Sequence, residues 1–301
     1  MARVSFGTRF SLLHMQTVAI TARKDLEKHE KVFRSLISYL KKAGMTVYLE
    51  ERVAEYINAK KFNLFLPGET KVDMIIVMGG DGTILRVVNQ MHHFNTKFFG
   101  VNLGNLGFLS EIPPVGINKT LGRIFAGEYT LDKRVMLEVK LERNGKIVEK
   151  FCALNEVVIS QGTLSRLIHL NTKVDGRKLT KYKSDGLIVA TPTGSTAYSL
   201  SAGGPIVHPA VSAIILTPIC PNTFTQKPIV IPDSKKVQIT VDSEYEQINL
   251  TSDGQRNIGI EYKDIIHIKK HGFIHFVRLP NENYFRTLRG KLGWGEDVEK
   301  R

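Results

Sequence analysis

Residues 72–78 form an apolar run that passes directly into Gly79-Gly80-Asp81-Gly82-Thr83. No other feature narrows the fold as far. A run this apolar suits a strand covered on both faces, as in a parallel sheet. The glycines turn the chain sharply, and residues 82–92 then carry a helical pattern. Upstream, residues 17–22 read as a buried strand. Asp25 is positioned to cap a helix with Val32, Phe33, Leu36, Ile37 and Leu40 on one face. Gly44 ends that helix, and residues 46–49 form a second strand. Residues 98–102 form another strand after the glycine turn. Alternating strand and helix predicts an open α/β domain over residues 17–125, after a loose extension at 1–16 that leaves Met15 as a second candidate start.

The pattern changes near residues 121–133. Residues 135–143 alternate and meet Asn144-Gly145, a strong hairpin signal, before a return strand at 146–151. Asp175-Gly176 is a second such turn. Residues 236–241, 258–262 and 265–269 read as further strands. Residues 126–275 are therefore expected to be an all-β, sandwich-like domain. A closing helix at 283–292 lies in a tail, 276–301, expected to pack back on the first domain.

Composition excludes several classes. The 301 residues are 42% hydrophobic and 24% charged, an ordinary globular balance. No apolar run approaches the roughly 20 residues of a membrane-spanning helix. Lys and Arg outnumber Asp and Glu by 42 to 29, a formal net charge of +13. That excess favours anionic ligands. The basic residues are scattered, without a basic tail or an aromatic-striped basic helix, which argues against nucleic acid and for phosphorylated small molecules. Cys152 and Cys220 lie in no CxxC pair and have no histidines at metal-ligand spacing. They read as buried free thiols in a reducing compartment, with no zinc site visible. A cytoplasmic protein is expected.

Two segments carry chemistry. At the glycine turn, missing Cβ atoms let the backbone approach a ligand, and the helix N-terminus offers free N–H groups to phosphate. Gly79, Gly80, Gly82 and Thr83 are the candidate phosphate loop. Asp81 is out of place among phosphates unless it takes a proton from a hydroxyl, holds a metal ion, or caps the following helix. The turn is neither a P-loop nor GxGxxG. The second segment, residues 184–205, ends a strand in small hydroxyl and glycine residues around Tyr198. Its hydroxyls and backbone can bond a base edge and ribose while Tyr198 offers a stacking face. Such a run also serves as an ordinary loop.

Taken in order, Gly79 to Thr83, Leu154-Asn155-Glu156, the run from Asp185 to Pro205, Asp253-Gly254-Gln255 and Lys291-Leu292-Gly293-Trp294 resemble the NAD kinase family. The glycine turn is shared with diacylglycerol, sphingosine and phosphofructokinases. The DG-x4-TPTGSTAYSLSAGGP run is the distinctive part. The resemblance implies a two-domain fold and transfer of phosphoryl from ATP to the adenosine-ribose 2′-hydroxyl of NAD, with a divalent cation, Mg²⁺, as cofactor. It implies Asp81 as the catalytic carboxylate and no metal ligand assigned to protein side chains. It places NAD contacts at Asp81, Gly82, Arg86, Asn155, Glu156, Arg166, Lys183, Asp185, Thr196, Ala197, Tyr198, Ser199, Leu200, Ser201 and Gln255. Asn155-Glu156 alone would also suit a polar strand edge, and Arg86 and Arg166 solvated surface charges. Lys183 departs from members with Arg at this position, and Lys is a point charge where Arg is a planar fork. Implied partners are small-molecule nucleotides, with neither nucleic acid nor membrane, in a homodimer or homotetramer.

Overall fold

The structure is a computed structural model that describes residues 15–26, 29–104, 107–110, 112–162, 166–243, 247–280 and 283–294. The expected extension therefore falls almost wholly outside the described residues. The chain divides into two compact units. One takes in the residues up to Asp81, Lys97–Thr130 and those from Val277 on; the other takes in Gly82–Thr96 and Leu131–Phe276.

The first unit contains β1 (Thr17–Ala22), α1 (Glu30–Lys42), β2 (Thr46–Leu49), α2 (Glu51–Tyr56), β3 (Asn63–Leu64) and β4 (Met74–Met78). The chain then enters α3 (Asp81–Met91) and returns as β5 (Lys97–Val101) and α4 (Ile117–Phe125). The strands pair in parallel in the order β3-β2-β1-β4-β5. Every residue of β4 is buried, as its apolar run requires. One face of the sheet meets Phe33, Leu36, Ile37 and Leu40 of α1 and Ile117, Leu121 and Ile124 of α4. Burying these stripes supplies most of the helical stability, since short isolated helices are marginal in water.

The second unit contains β6 (Thr130–Arg143), β7 (Lys146–Ala153), β8 (Glu156–Gln161), β9 (Ile168–Val174), β10 (Arg177–Ser184) and β11 (Gly186–Ala190). The short helix α5 (Tyr198–Ser201) precedes β12 (Ala213–Ile219), β13 (Ile229–Pro232), β14 (Val237–Val241), β15 (Ile248–Ser252), β16 (Arg256–Ile260) and β17 (Ile265–Arg278). Helix α6 (Tyr284–Leu292) closes the described chain in the first unit. Here β10-β9-β14-β17 form one layer, with β6 and β7 joined beyond β17, and β13-β12-β11-β8-β15-β16 form the other. Leu137, Val139, Ile239 and Ile266 from the first layer and Val157, Ile159, Leu187, Leu216 and Leu250 from the second share one buried core. The expected sandwich is therefore present. Asn144-Gly145 and Asp175-Gly176 turn their hairpins with positive φ at both residues, +51°/+75° and +49°/+75°, as two-residue hairpins favour.

Several local expectations need correction. Asp25 does not cap α1. The helix starts at Glu30 behind His29 without a side-chain cap, and the Asp25 carboxylate pairs with Arg23 at 2.9 Å. Helices α2 and α4 stand where no helix was read, and α4 has Ile117, Leu121 and Ile124 on one buried stripe. Strand β17 runs to Arg278, well past residue 269. Cys152 is buried but Cys220 is exposed.

Asp73 fastens the entry to the parallel sheet. Its Oδ2 accepts the Gln16 and Thr17 amides at 2.9 Å each and the Thr17 hydroxyl at 2.7 Å. Burial pushes the Asp73 carboxyl up, but these bonds and the nearby Lys97 charge outweigh it and hold the group below its ordinary range. A depressed carboxyl stabilises the fold fully above its unfolded pKa, and that share is lost as pH falls through the folded one. Asp73→Ala is expected to destabilise the protein by about 1–3 kcal/mol at neutral pH. Thermal unfolding of both proteins across pH checks this: the gap in Tm should shrink below about pH 4.

Candidate active site

In the first unit, the carboxyl end of β4 delivers Gly79 and Gly80 to the start of α3, where open parallel sheets bind ligands. The Gly79 amide donates to Val101 O at 2.8 Å, so the turn stays tied to β5. Asp81 is the first residue of α3. Its carboxylate turns to the segment after β5. Oδ2 accepts Phe108 N at 2.8 Å; Oδ1 accepts Leu109 N at 3.0 Å, Ser110 N at 3.2 Å and Ser110 Oγ at 3.3 Å. Gly107 makes this wrapping feasible, because a Cβ there would collide with Asp81 Oδ1. A carboxylate has about four lone-pair sites. Among the described residues Oδ2 has a single donor, which leaves it room to accept a hydroxyl proton.

In the second unit a carboxylate is wrapped in the same way. Asp253 lies in the β15–β16 hairpin, with φ +49° before Gly254 at +63°. Its Oδ1 accepts Asn155 N at 2.8 Å and Glu156 N at 3.1 Å; its Oδ2 accepts Leu154 N at 2.8 Å and Asn89 Nδ2 at 3.0 Å. Three consecutive amides thus converge on one buried side chain and fix the Asn155-Glu156 backbone. Glu156 is buried too. Burial first, and the Asp253 charge second, push its carboxyl up to about 8. Burial also raises Asp253, opposed by its four donors. Those donors favour the ionised form of Asp253 against its burial, while Glu156 has no such set of donors to oppose its rise.

The small-residue run is built around these amides. Asn155 O accepts Thr191 N at 2.8 Å, and Thr191 Oγ1 donates to Leu154 O at 2.6 Å. Gly194 packs so tightly on the Asn155 backbone that no Cβ fits. The Ser195 hydroxyl donates to Pro192 O at 2.7 Å. Thr196 and Ala197 follow at intermediate exposure. In α5, Ser199 is buried with its hydroxyl 2.9 Å from that of Thr217. Tyr198 is 46% exposed, Leu200 half-buried and Ser201 exposed. The run is thus folded by its own hydroxyls, and its ring is left outward.

Gln255 Nε2 donates to Gly82 O at 3.2 Å, bringing two singled-out residues together. Arg86 is half-buried on α3, and Arg166 is exposed. Lys183 is exposed near the end of β10, and its carbonyl accepts Asn222 N at 3.0 Å. Asp185 is half-buried where the chain leaves one sheet for the other, its amide bonded to Ile219 O at 2.9 Å. Sequence reasoning missed the roles of Asp253, Asn89 and residues 107–110, which hold the singled-out residues in place. The Asp253-Gly254 turn between two alternating runs was the available signal for the first. Among the described residues, a cavity of about 880 Å³ runs along Arg34, Lys41 and Asn63 and contains none of the singled-out side chains.

A glycine turn with a wrapped carboxylate in an α/β unit, and a β-sandwich that presents an exposed aromatic among small hydroxyls, define a two-domain enzyme for phosphorylated ligands. The profile described as ATP-NAD kinase N-terminal domain matches residues 18–129, and that of the ATP-NAD kinase C-terminal domain matches 154–278. An NAD kinase of Thermoanaerobacter sp. (strain X514) is 40% identical over 280 residues, 92% of this chain and 99% of the relative. One from Geobacter sulfurreducens is 40% identical over 287 residues, 94% and 100% of the two chains. Yeast NADH kinase complexed with NADH superposes with a TM-score of 0.87 at 28% identity, over 95% of this chain and 90% of that one. An Archaeoglobus fulgidus NAD kinase in complex with ATP gives 0.70 at 28% identity, over 92% and 99%. The chain belongs to the NAD kinase family.

The Glu156 proton has a measurable consequence. A carboxyl raised in the folded state binds a proton that the unfolded chain releases, so stability falls as pH rises from the unfolded pKa to the folded one. That window runs from the ordinary glutamate value of 4.5 to about 8. Glu156→Gln, neutral throughout, is expected to lack this decline. Thermal unfolding from pH 4 to 9 should show the variant gaining on the parent up to about pH 8 and running parallel above it. Parallel curves at every pH would place the proton elsewhere.

Proposed function

We propose that the protein transfers the γ-phosphoryl group of ATP to the 2′-hydroxyl of the adenosine ribose of NAD, giving NADP and ADP. The observation that supports it most directly is Asp81, a carboxylate fixed by three backbone amides at a phosphate-type turn, with an oxygen that retains acceptor capacity. Phosphoryl transfer asks a protein chiefly for positioning and for handling one proton. The amides around Asp81 hold the carboxylate still. Oδ2 accepts the proton from the 2′-hydroxyl as its oxygen bonds to phosphorus and the bond to the ADP oxygen breaks.

The remaining assignments distribute as follows. Gly79, Gly80, Gly82 and Thr83 lie against phosphate. Asn155, held by Asp253, and Glu156, protonated, bond the nucleotide; a neutral acid can donate where an ionised one would repel. Tyr198 stacks with its exposed ring, and Thr196, Ala197, Leu200 and Ser201 line its surroundings. The buried Ser199 hydroxyl supports the loop through Thr217. Lys183 and Asp185 act at the nicotinamide end, and Arg86, Arg166 and Gln255 complete the contacts. A magnesium ion, when bound, would shield phosphate charge. Among the described residues no helix is long and apolar enough to cross a membrane; we place the enzyme in the cytoplasm as a homodimer or homotetramer.

Asp81→Asn removes the base while keeping the volume. It is expected to lower kcat by about 10²–10⁴-fold, the range for general base catalysis, with a smaller change in NAD binding measured by calorimetry. Turnover near the parent rate would return Asp81 to a purely structural role.

Lys183 bears on the choice between NAD and NADH. Oxidised nicotinamide is cationic, so a lysine cannot favour it by direct attraction; it acts by bridging to the pyrophosphate or by shaping the slot. The parent is expected to prefer NAD, and Lys183→Gly to narrow that preference. The ratio of kcat/KM for the two substrates in both proteins is the measurement, and an unchanged ratio removes Lys183 from specificity.

A further inference from the structure

Three residues from distant parts of the chain converge in the second unit, none of them among the residues singled out above. The ring nitrogens of His92 and His271 and the sulfur of Cys152 lie within 4.8 Å of one another. His92 follows α3, Cys152 lies on β7 and His271 on β17. We propose that His92, Cys152 and His271 form a binding site for a divalent transition-metal ion of zinc-like chemistry.

The donor set fits such an ion. Two imidazoles and a thiolate suit zinc and cobalt and do not suit magnesium or calcium. Neighbouring ligands of a tetrahedral zinc lie about 3.3–3.8 Å apart, given bonds of about 2.0–2.3 Å. The present spacing, up to 4.8 Å, exceeds that by about an ångström or more, and the two rings already stand edge to face at 5.2 Å between centroids.

The surroundings orient His92 as a ligand. Its Nδ1 lies 2.9 Å from Asn89 O. A carbonyl can only accept, so Nδ1 carries the hydrogen and Nε2 presents a bare lone pair. Metal-binding histidines usually donate their second ring nitrogen in this way. Burial first, then the nearby His271, His93 and Lys150 charges, lowers the His92 pKa against the Asn89 hydrogen bond. Cys152 is only 6% exposed, and burial pushes its thiol up to about 12. The metal must therefore displace the thiol proton, as coordinating metals do.

Glu138 stands opposite Cys152 in the β6–β7 ladder, and its Oε2 is 3.9 Å from His271 Nδ1. Glu138 is already paired with Lys150 at 3.1 Å, Lys269 at 3.3 Å and Lys140 at 3.8 Å, so the thiolate is the anionic ligand and water supplies the fourth position. His271 is exposed and gives the ion a way in.

The position gives the ion leverage on the nucleotide contacts. Asn89, bonded to His92 through its carbonyl, donates its side chain to Asp253. Cys152 immediately precedes Ala153 and Leu154, and its carbonyl accepts Ser252 Oγ at 3.1 Å. A bound ion would cross-link α3, β7 and β17 behind the amides that Asp253 gathers.

The test is titration of untagged, metal-stripped protein with Co²⁺, followed by absorption, with Zn²⁺ as competitor. One equivalent should produce a thiolate-to-cobalt charge-transfer band and tetrahedral visible bands that Zn²⁺ abolishes. Cys152→Ser should remove the charge-transfer band and weaken Co²⁺ binding at least about 10-fold, while Cys220→Ser, at the exposed thiol, should change neither. His271→Ala, at an exposed position that tolerates truncation, should weaken binding by a similar factor. Absence of the band in the parent, its loss in Cys220→Ser, or unchanged affinity in His271→Ala would overturn the site.

Discussion

The three consecutive amides of Leu154, Asn155 and Glu156 all point at one carboxylate, that of Asp253, and much of the second unit's site follows from this. A buried charge without partners would be strongly unfavourable. Asp253 is tolerated because four donors surround it, and in return it forces the chain between β7 and β8 into one conformation. That conformation turns Asn155 O toward Thr191 N and brings the Asn155 backbone against Gly194. The small-residue run can then fold on the fixed backbone, with Thr191 Oγ1 returning a bond to Leu154 O. Exposed Tyr198 stands at the end of this chain of dependencies.

The same device occurs at Asp81, where the amides of Phe108, Leu109 and Ser110 converge on a carboxylate at the start of α3. The two differ in what the carboxylate has left. Asp253 is wholly buried and spends both oxygens on the protein. Asp81 is partly exposed, and its Oδ2 has a single donor among the described residues. One arrangement positions neighbours and the other keeps a lone pair for chemistry. This difference distinguishes the two acids more clearly than the sequence could, since both stand next to glycine.

What the sequence disclosed follows the range of the interactions involved. The apolar 72–78 run, the Asn144-Gly145 turn and the closing helix at 283–292 depend on interactions over a few residues, and a strand, a hairpin and a helix are found there. The α4 stripe was local as well, but its Ile117, Leu121 and Ile124 are embedded among Gly116, Gly122 and Gly127, which obscured the helix. The supports of the site are not local. Asn89 reaches Asp253 across 164 residues, and Gly107 meets Asp81 only after β5 has been laid beside β4. No periodicity records such pairs. The His92, Cys152 and His271 group is the extreme case: its three members come from separate parts of the chain, so no spacing in the sequence brings them together.

The ionisation of the buried acid pair connects the fold to the substrate. A +13 chain draws anionic nucleotides, yet two carboxylates, Glu156 and Asp253, lie side by side where one would be expected to bind. Two negative charges there would repel a phosphorylated ligand and each other. Burial raises both carboxyls, that of Glu156 to about 8, and the four donors on Asp253 oppose the rise of its own. Protonated, Glu156 can donate one hydrogen bond and accept another, and its backbone is held by its own amide bond to Asp253. A ribose hydroxyl, which also donates and accepts, is the natural complement of such a group.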